Sequence, residues 1–136
     1  MKITFGCNTA CLDLVRYALK RWLSQENVLE KLGETIVLAM DEALSNIILH
    51  GFKKNTMGYI NVEFLRENDK INIIIEDNGE FFDITKVNPP QPLKMIRAGK
   101  THGFGIYLIK TIMDEVRYEY SKKGGFNKLI LIKYIK

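Results

Sequence analysis

The chain is poor in the residues that build metal clusters and covalent frameworks. Its 136 residues hold two cysteines and two histidines. Cys7 and Cys11 stand at i and i+4, which gives neither a disulfide framework nor a Cys-x-x-Cys pair; both are expected as small buried apolar residues. His50 and His102 alone argue against a zinc cluster. No stretch reaches the roughly 18 apolar residues of a membrane span. The start, Met1 to Phe5, lacks the apolar core of a signal peptide, so the cytoplasm is the expected location and no membrane is implied. No G-x-x-x-x-G-K-[ST] loop occurs, and no G-x-G-x-x-G follows a strand pattern. Charge of one sign is also scarce: the net charge is +4 and the 20 basic residues are spread through the chain, a poor match to a nucleic-acid-binding face.

What is present describes an ordinary globular protein. Hydrophobic residues make up 46% and charged residues 26%. The length suits one domain, 1–136, with a real core. Lys2 to Phe5 reads as a first strand. Leu12 to Trp22 is apolar at helical spacing, with Asn8 or Thr9 as N-cap. A second helix spans Gly33 to His50, and Gly51 stands where it should stop. Tyr59–Leu65 and Ile71–Glu76 read as strands joined by a hairpin with Asn68-Asp69 at its tip. Asp83 to His102 holds all three prolines and little periodicity, as in a lid or binding loop, or a surface loop with a short helix near Leu93–Ala98. Gly103-Phe104-Gly105 opens a helix through Met113, and Val116–Tyr120 and Lys128–Tyr134 close the chain as a strand pair. The order β-α-α-β-β-lid-α-β-β predicts an α+β fold, a two-layer sandwich with a mixed, mostly antiparallel sheet and helices on one face.

The second helix carries an anomaly. On a wheel, Ile36, Met40, Ala43, Leu44 and Ile47 form a core stripe, and Glu34, Asp41 and Ser45 a narrow solvent strip. Glu42 and Asn46 fall outside that strip, one turn apart, on a flank shared with Leu38, Ala39 and Leu49. Polar groups placed there call for partners. An internal hydrogen bond or an exposed flank satisfies them; so does a site for a hard cation and phosphate, since a carboxylate and an amide oxygen suit Mg²⁺.

Two further clusters lie downstream. Asp77-Asn78-Gly79 follows an apolar strand and is a strong turn signal. The same geometry lets a carboxylate accept a hydrogen bond from adenine N6, with Gly79 admitting the base close to the backbone. Gly103-x-Gly105 follows a basic segment and opens a helix, where backbone N–H groups form an anion site.

Together these segments resemble a known family. Glu42-Ala-Leu-Ser-Asn46-Ile-Ile-Leu-His50-Gly51 resembles the N box of the GHKL (Bergerat-fold) ATP-binding superfamily. Ile75-Glu76-Asp77-Asn78-Gly79 is similar to its first glycine motif, and Gly103-Phe-Gly-Ile-Tyr-Leu-Ile109 to the next. Met113-Asp-Glu-Val-Arg-Tyr118 and Gly125-Phe-Asn-Lys-Leu129 are most similar to anti-sigma-factor serine/threonine kinases. The resemblance implies ATP and Mg²⁺ as ligands, Asn46 on the metal, Glu42 as general base, and Asp77 with Gly79 at the adenine. It also implies Gly103 and Gly105, with Phe104 between them, at the phosphates, and 83–102 as the ATP lid. Arg97 or Lys100 in that basic segment could stabilise phosphate charge. Where the family often has a Thr in its last strand, the nearest polar residue is Asn127; where it often has a second glycine in the first motif, this chain has Phe81. Such proteins bind a sigma factor, phosphorylate an anti-anti-sigma protein and commonly form homodimers. A non-catalytic, ATP-switched binding module is the alternative expectation.

Overall fold

The computed structural model of the chain describes residues 1–6, 8–52, 58–86 and 105–135. Arg97, Lys100, Gly103 and Phe104 lie outside them, as does most of the expected 83–102 lid. The described elements are β1 (Lys2–Gly6), α1 (Leu12–Gln25), α2 (Glu30–Asn46), β2 (Tyr59–Glu67), β3 (Lys70–Asp77), α3 (Gly105–Ile112), β4 (Glu115–Ser121) and β5 (Phe126–Tyr134). The strands form one antiparallel sheet in the order β1-β2-β3-β5-β4. Among the described residues no helix is long and apolar enough to cross a membrane.

Alternation along the central strands sets the core. Ile60, Val62 and Phe64 of β2, Ile71, Ile73 and Ile75 of β3, and Leu129 and Leu131 of β5 all turn to one side, where they are buried with the helices. Val15 and Leu19 of α1 and Ile36, Met40 and Leu44 of α2 meet them, and Trp22 packs on Phe64 with ring centroids 5.6 Å apart. Arg16 of α1 donates to Asp41 of α2 at 2.7 Å, so this part of the expected solvent strip is an interhelix bridge.

Local chemistry explains the boundaries. Asn8 caps a short 3₁₀ turn (Thr9–Cys11) by accepting from the Ala10 N–H at 2.8 Å. Cys11 is half-buried and forms no core contact of the kind expected for it. The end of α1 carries a stop signal that periodicity does not show: Asn27 adopts φ 59°, and Val28 N–H returns to Leu23 O at 3.0 Å. The second helix begins at Glu30, not Gly33. Gly33 is instead a buried position within the helix, facing Leu23, where a Cβ would make ordinary contact at 3.7 Å from Leu23 Cδ1. The β2–β3 hairpin has Asn68 at φ 51°, as its two-residue tip requires.

The far end of α2 departs most from the regular pattern. After Asn46 the helix widens into a π turn, Ile47–Gly51. One residue more per turn rotates Leu49 outward, and it is 66% exposed. Leu38 is exposed as well, because the eight-residue α3 covers only part of that flank. The flank carrying Glu42 and Asn46 is therefore open at both ends. Ile73, wholly buried in the central strand, should be the most sensitive kind of position. Ile73→Ala is expected to lower stability by about 2–5 kcal/mol with an unchanged m value in urea unfolding.

Candidate functional site

Three segments converge beside the π turn. The end of α2 with the π turn after it brings Glu42, Asn46 and Gly51; the end of β3 with the turn after it brings Asp77 and Gly79; the first described turn of α3 brings Gly105. Antiparallel register adds a fourth, because Asn127 of β5 is the cross-strand partner of Asp77.

Close backbone approach is visible at two glycines. A Cβ at Gly79 would lie 2.7 Å from the carbonyl oxygen of Gly51 and 3.0 Å from Asp77 Oδ1. That approach lets Glu80 N–H donate to Gly51 O at 2.9 Å, fastening the turn after β3 to the end of α2. A Cβ at Gly105 would lie 2.6 Å from Glu42 Oε2 and 3.0 Å from Asn46 Nδ2. The start of α3 thus rests directly on the two polar side chains that the wheel singled out.

Each polar group has a defined state. Asn46 Nδ2 donates to the backbone oxygen of Glu42 at 2.9 Å, which leaves its carbonyl oxygen as the end available to a ligand. Glu42 is half-buried; desolvation, and then the neighbouring Asp41 charge, raise its pKa above the usual carboxylate value. Asp77 is 3% exposed. Its Oδ1 accepts from Gly79 N–H at 2.9 Å and from Asn127 Nδ2 at 3.1 Å. Burial raises its pKa, and those two hydrogen bonds oppose the rise.

Asn127 is the hub of this corner. Its Nδ2 also reaches Gly79 O at 3.2 Å and Glu80 O at 3.1 Å, while its Oδ1 accepts from Phe82 N–H at 3.4 Å and from the Tyr118 hydroxyl. Burial pushes the Tyr118 phenol up to about 12, so it stays protonated and remains a donor at neutral pH. Phe82 and Ile84 escaped the sequence reading, and Tyr118 entered it only as the end of the Met113–Tyr118 segment, with no role at the site. They line a small cavity with Asn46, Ile47, Asp77, Asn127 and Leu129. The space inside is about 10 Å³, room for about one water. Outside it, His50 stacks on Phe82 at 5.2 Å, and the exposed Phe81 meets Tyr118 and Tyr120 edge-on at 5.8 and 5.2 Å. No spacing marks Tyr118; only the register, which seats it next to Asn127, would have found it.

The donor set favours hard cations shared with a ligand. Among the described residues no three of His, Cys, Asp and Glu gather as a metal cluster. One amide oxygen and one carboxylate fit Mg²⁺ only when phosphates and waters complete the shell, which is its usual habit.

The Asp77 environment has a testable sign. A carboxyl whose pKa is raised on folding adds stability that is complete below its unfolded pKa and is lost as pH rises through its folded pKa. Asp77→Asn, with the amide oxygen turned to the same two donors, is expected to melt a few degrees higher than the parent at pH 7.5. The gap should close as the pH is lowered through the carboxylate range. A variant that melts lower at pH 7.5 contradicts the burial argument.

The chain is similar to several known proteins. Residues 8–133 match the family described as the histidine kinase-like ATPase domain. The serine-protein kinase RsbW of Oceanobacillus iheyensis is 36% identical over 91 residues, covering 62% of this chain and 56% of its own. That of Staphylococcus aureus (strain MRSA252) is 33% identical over 130 residues, covering 92% and 80%. The chain thus spans little more than half of the first relative and about four fifths of the second. In fold it is similar to the crystal structure of the SiaB–SiaC complex from Pseudomonas aeruginosa, with a TM-score of 0.68 at 15% identity, over 96% of this chain and 88% of that one. With its sheet, its helices and its paired glycine contacts all in one frame, the chain belongs to the histidine kinase-like ATPase domain family.

Proposed function

We propose that the chain binds Mg-ATP and phosphorylates a serine or threonine of a partner protein, as an anti-sigma-factor kinase. The observation that carries this reading is the contact at Gly105, where α3 lies against Glu42 and Asn46 with no room for a methyl group. A helix start pressed on a carboxylate and an amide brings anion-binding N–H groups to a proton acceptor and a hard-cation ligand.

In this reading the single domain 1–136 holds adenine against Asp77 and Gly79, with Asn127 orienting the carboxylate. Gly105, together with Gly103 and Phe104, takes the phosphates, and Arg97 and Lys100 reach them from the lid. Asn46 holds Mg²⁺, whose contribution when bound is to neutralise polyphosphate charge. Glu42 accepts the proton of the incoming hydroxyl as that oxygen bonds to the γ-phosphorus and ADP departs. Its raised pKa makes it a stronger proton acceptor than an ordinary surface glutamate. The cavity lined by Asp77, Phe82 and Ile84 holds about 10 Å³, less than a purine needs, so adenine binding there calls for a rearrangement of its lining.

The partner reading follows the relatives. An anti-anti-sigma protein is the phosphate acceptor and a sigma factor the sequestered target, both in the cytoplasm, with no direct contact to nucleic acid. The RsbW names and the solved SiaB–SiaC complex support a protein partner. Phe81 in the first glycine motif favours one rival, a non-catalytic module switched by ATP.

Radiolabelled ATP with a candidate partner separates the two. Glu42→Gln is expected to slow transfer by about 10²–10⁴-fold while leaving Mg-ATP affinity nearly unchanged in calorimetry. Asn46→Ala should remove the magnesium dependence of binding, and Gly105→Ala should weaken binding by about tenfold or more. Wild-type transfer by Glu42→Gln refutes the base assignment. Tight Mg-ATP binding by the parent, with no transfer to any partner, establishes the rival.

A further inference from the structure

The hydrogen-bond donors around Asn127 are already spent inside the protein. Gly79 N–H goes to Asp77 Oδ1 and Glu80 N–H to Gly51 O. Phe82 N–H goes to Asn127 Oδ1. The two hydrogens of Asn127 Nδ2 are shared among Asp77 Oδ1, Gly79 O and Glu80 O. The Tyr118 hydroxyl goes to Asn127 Oδ1. A phenol has one hydrogen, so toward any other neighbour the Tyr118 oxygen can only accept.

What remains faces the small cavity that Asp77, Asn127 and Tyr118 line. Asp77 receives both of its donors on Oδ1, and no described residue donates to Oδ2. Asn127 is occupied at both ends. Asn46, the other polar residue of the lining, has its Nδ2 on the Glu42 carbonyl. The wall made by Asp77 and Tyr118 therefore offers a carboxylate oxygen and a phenol oxygen, two acceptors with no donor between them. Register keeps the pair together: Asp77 is opposite Asn127, and Tyr118 is opposite Leu129, two residues further along β5. Rotating the Tyr118 hydroxyl would turn a donor into the cavity, and Asn127 holds it away.

A wall of acceptors sorts purines by one atom. The amino group on C6 of adenine carries two hydrogens, whereas guanine and hypoxanthine have an oxygen there. An oxygen brought against acceptors is desolvated without gaining a partner, which is costly. We propose that Tyr118 is a specificity-determining residue, which with Asp77 selects a 6-amino over a 6-oxo purine nucleotide because Asn127 holds its only hydroxyl hydrogen, an inference that rests on this cavity being the base site.

Binding of ATP and of inosine triphosphate to the full chain, each with Mg²⁺, gives by calorimetry a ratio in which general damage to the site cancels. The parent should prefer ATP by about a hundredfold or more. Tyr118→Phe keeps the ring and leaves Asn127 Oδ1 its Phe82 N–H, so the hub is not orphaned. It is expected to narrow the preference by about tenfold, chiefly through weaker ATP binding. Asp77→Asn, whose amide nitrogen faces the cavity as a donor when its oxygen takes the two N–H groups, should narrow it further or reverse it. Tyr118→Phe that weakens both nucleotides equally, or neither, overturns the proposal. If Asp77→Asn still narrows the preference in that case, the base site stands and only the role of Tyr118 falls. A parent that binds the two nucleotides alike, or binds neither, overturns both.

Discussion

A carboxylate kept in the interior at the end of the central strand constrains everything around it. Asp77 is buried, and its charge is tolerated because one oxygen receives two N–H donors. One donor is the backbone of its own turn; the other comes from Asn127, fifty residues later in sequence and one strand away in the sheet. Asn127 can offer that hydrogen only with its amide correctly turned, and the Tyr118 hydroxyl on its oxygen end turns it. The chain of dependence therefore runs from a solvent-edge strand, through a hub, to the buried acid. Weakening it anywhere raises the cost of keeping Asp77 charged.

The same corner explains why the two glycine contacts are placed as they are. Gly79 brings the turn after β3 onto the carbonyl of Gly51, so the end of α2 and the end of β3 behave as one rigid unit. Gly105 brings α3 onto Glu42 and Asn46. Strand end, helix end and helix start are held at van der Waals distance, and the stretch from Phe81 to Lys86 lies across the cavity, tied to Asn127 through the Phe82 N–H.

Most of the fold was legible because its signals are local. The β2–β3 hairpin announced itself by Asn68-Asp69 between alternating apolar strands, and α1 by its spacing. Gly33 misled because a glycine near a helix start looks like a boundary, when here it lies inside the first turn of α2, buried beside Leu23. Glu42, Asn46, Asp77 and Gly79 were visible as polar or turn residues interrupting apolar patterns. Tyr118 and Phe82 were not, because their roles exist only across strands: each is ordinary in its own segment and becomes unusual once register gives it neighbours. The isoleucines of β3 show the same limit. Ile73, Ile74 and Ile75 in succession point to a strand apolar on both sides, but not to what lies on the second side.

The π turn at Ile47–Gly51 bears on which genetic changes the protein can absorb. Its one extra residue is what aims the Gly51 carbonyl at Gly79 and Glu80. Deleting a single codon there would restore a regular α-helix, and by the ordinary measures of helix content the result would look improved. Yet it would swing Gly51 by roughly 100° around the axis and unfasten β3 from α2. At exposed Leu49 many side chains should be acceptable, while the residue itself cannot be spared; a scan of substitutions beside single-residue deletions across 47–51 would show the first tolerated and the second lost.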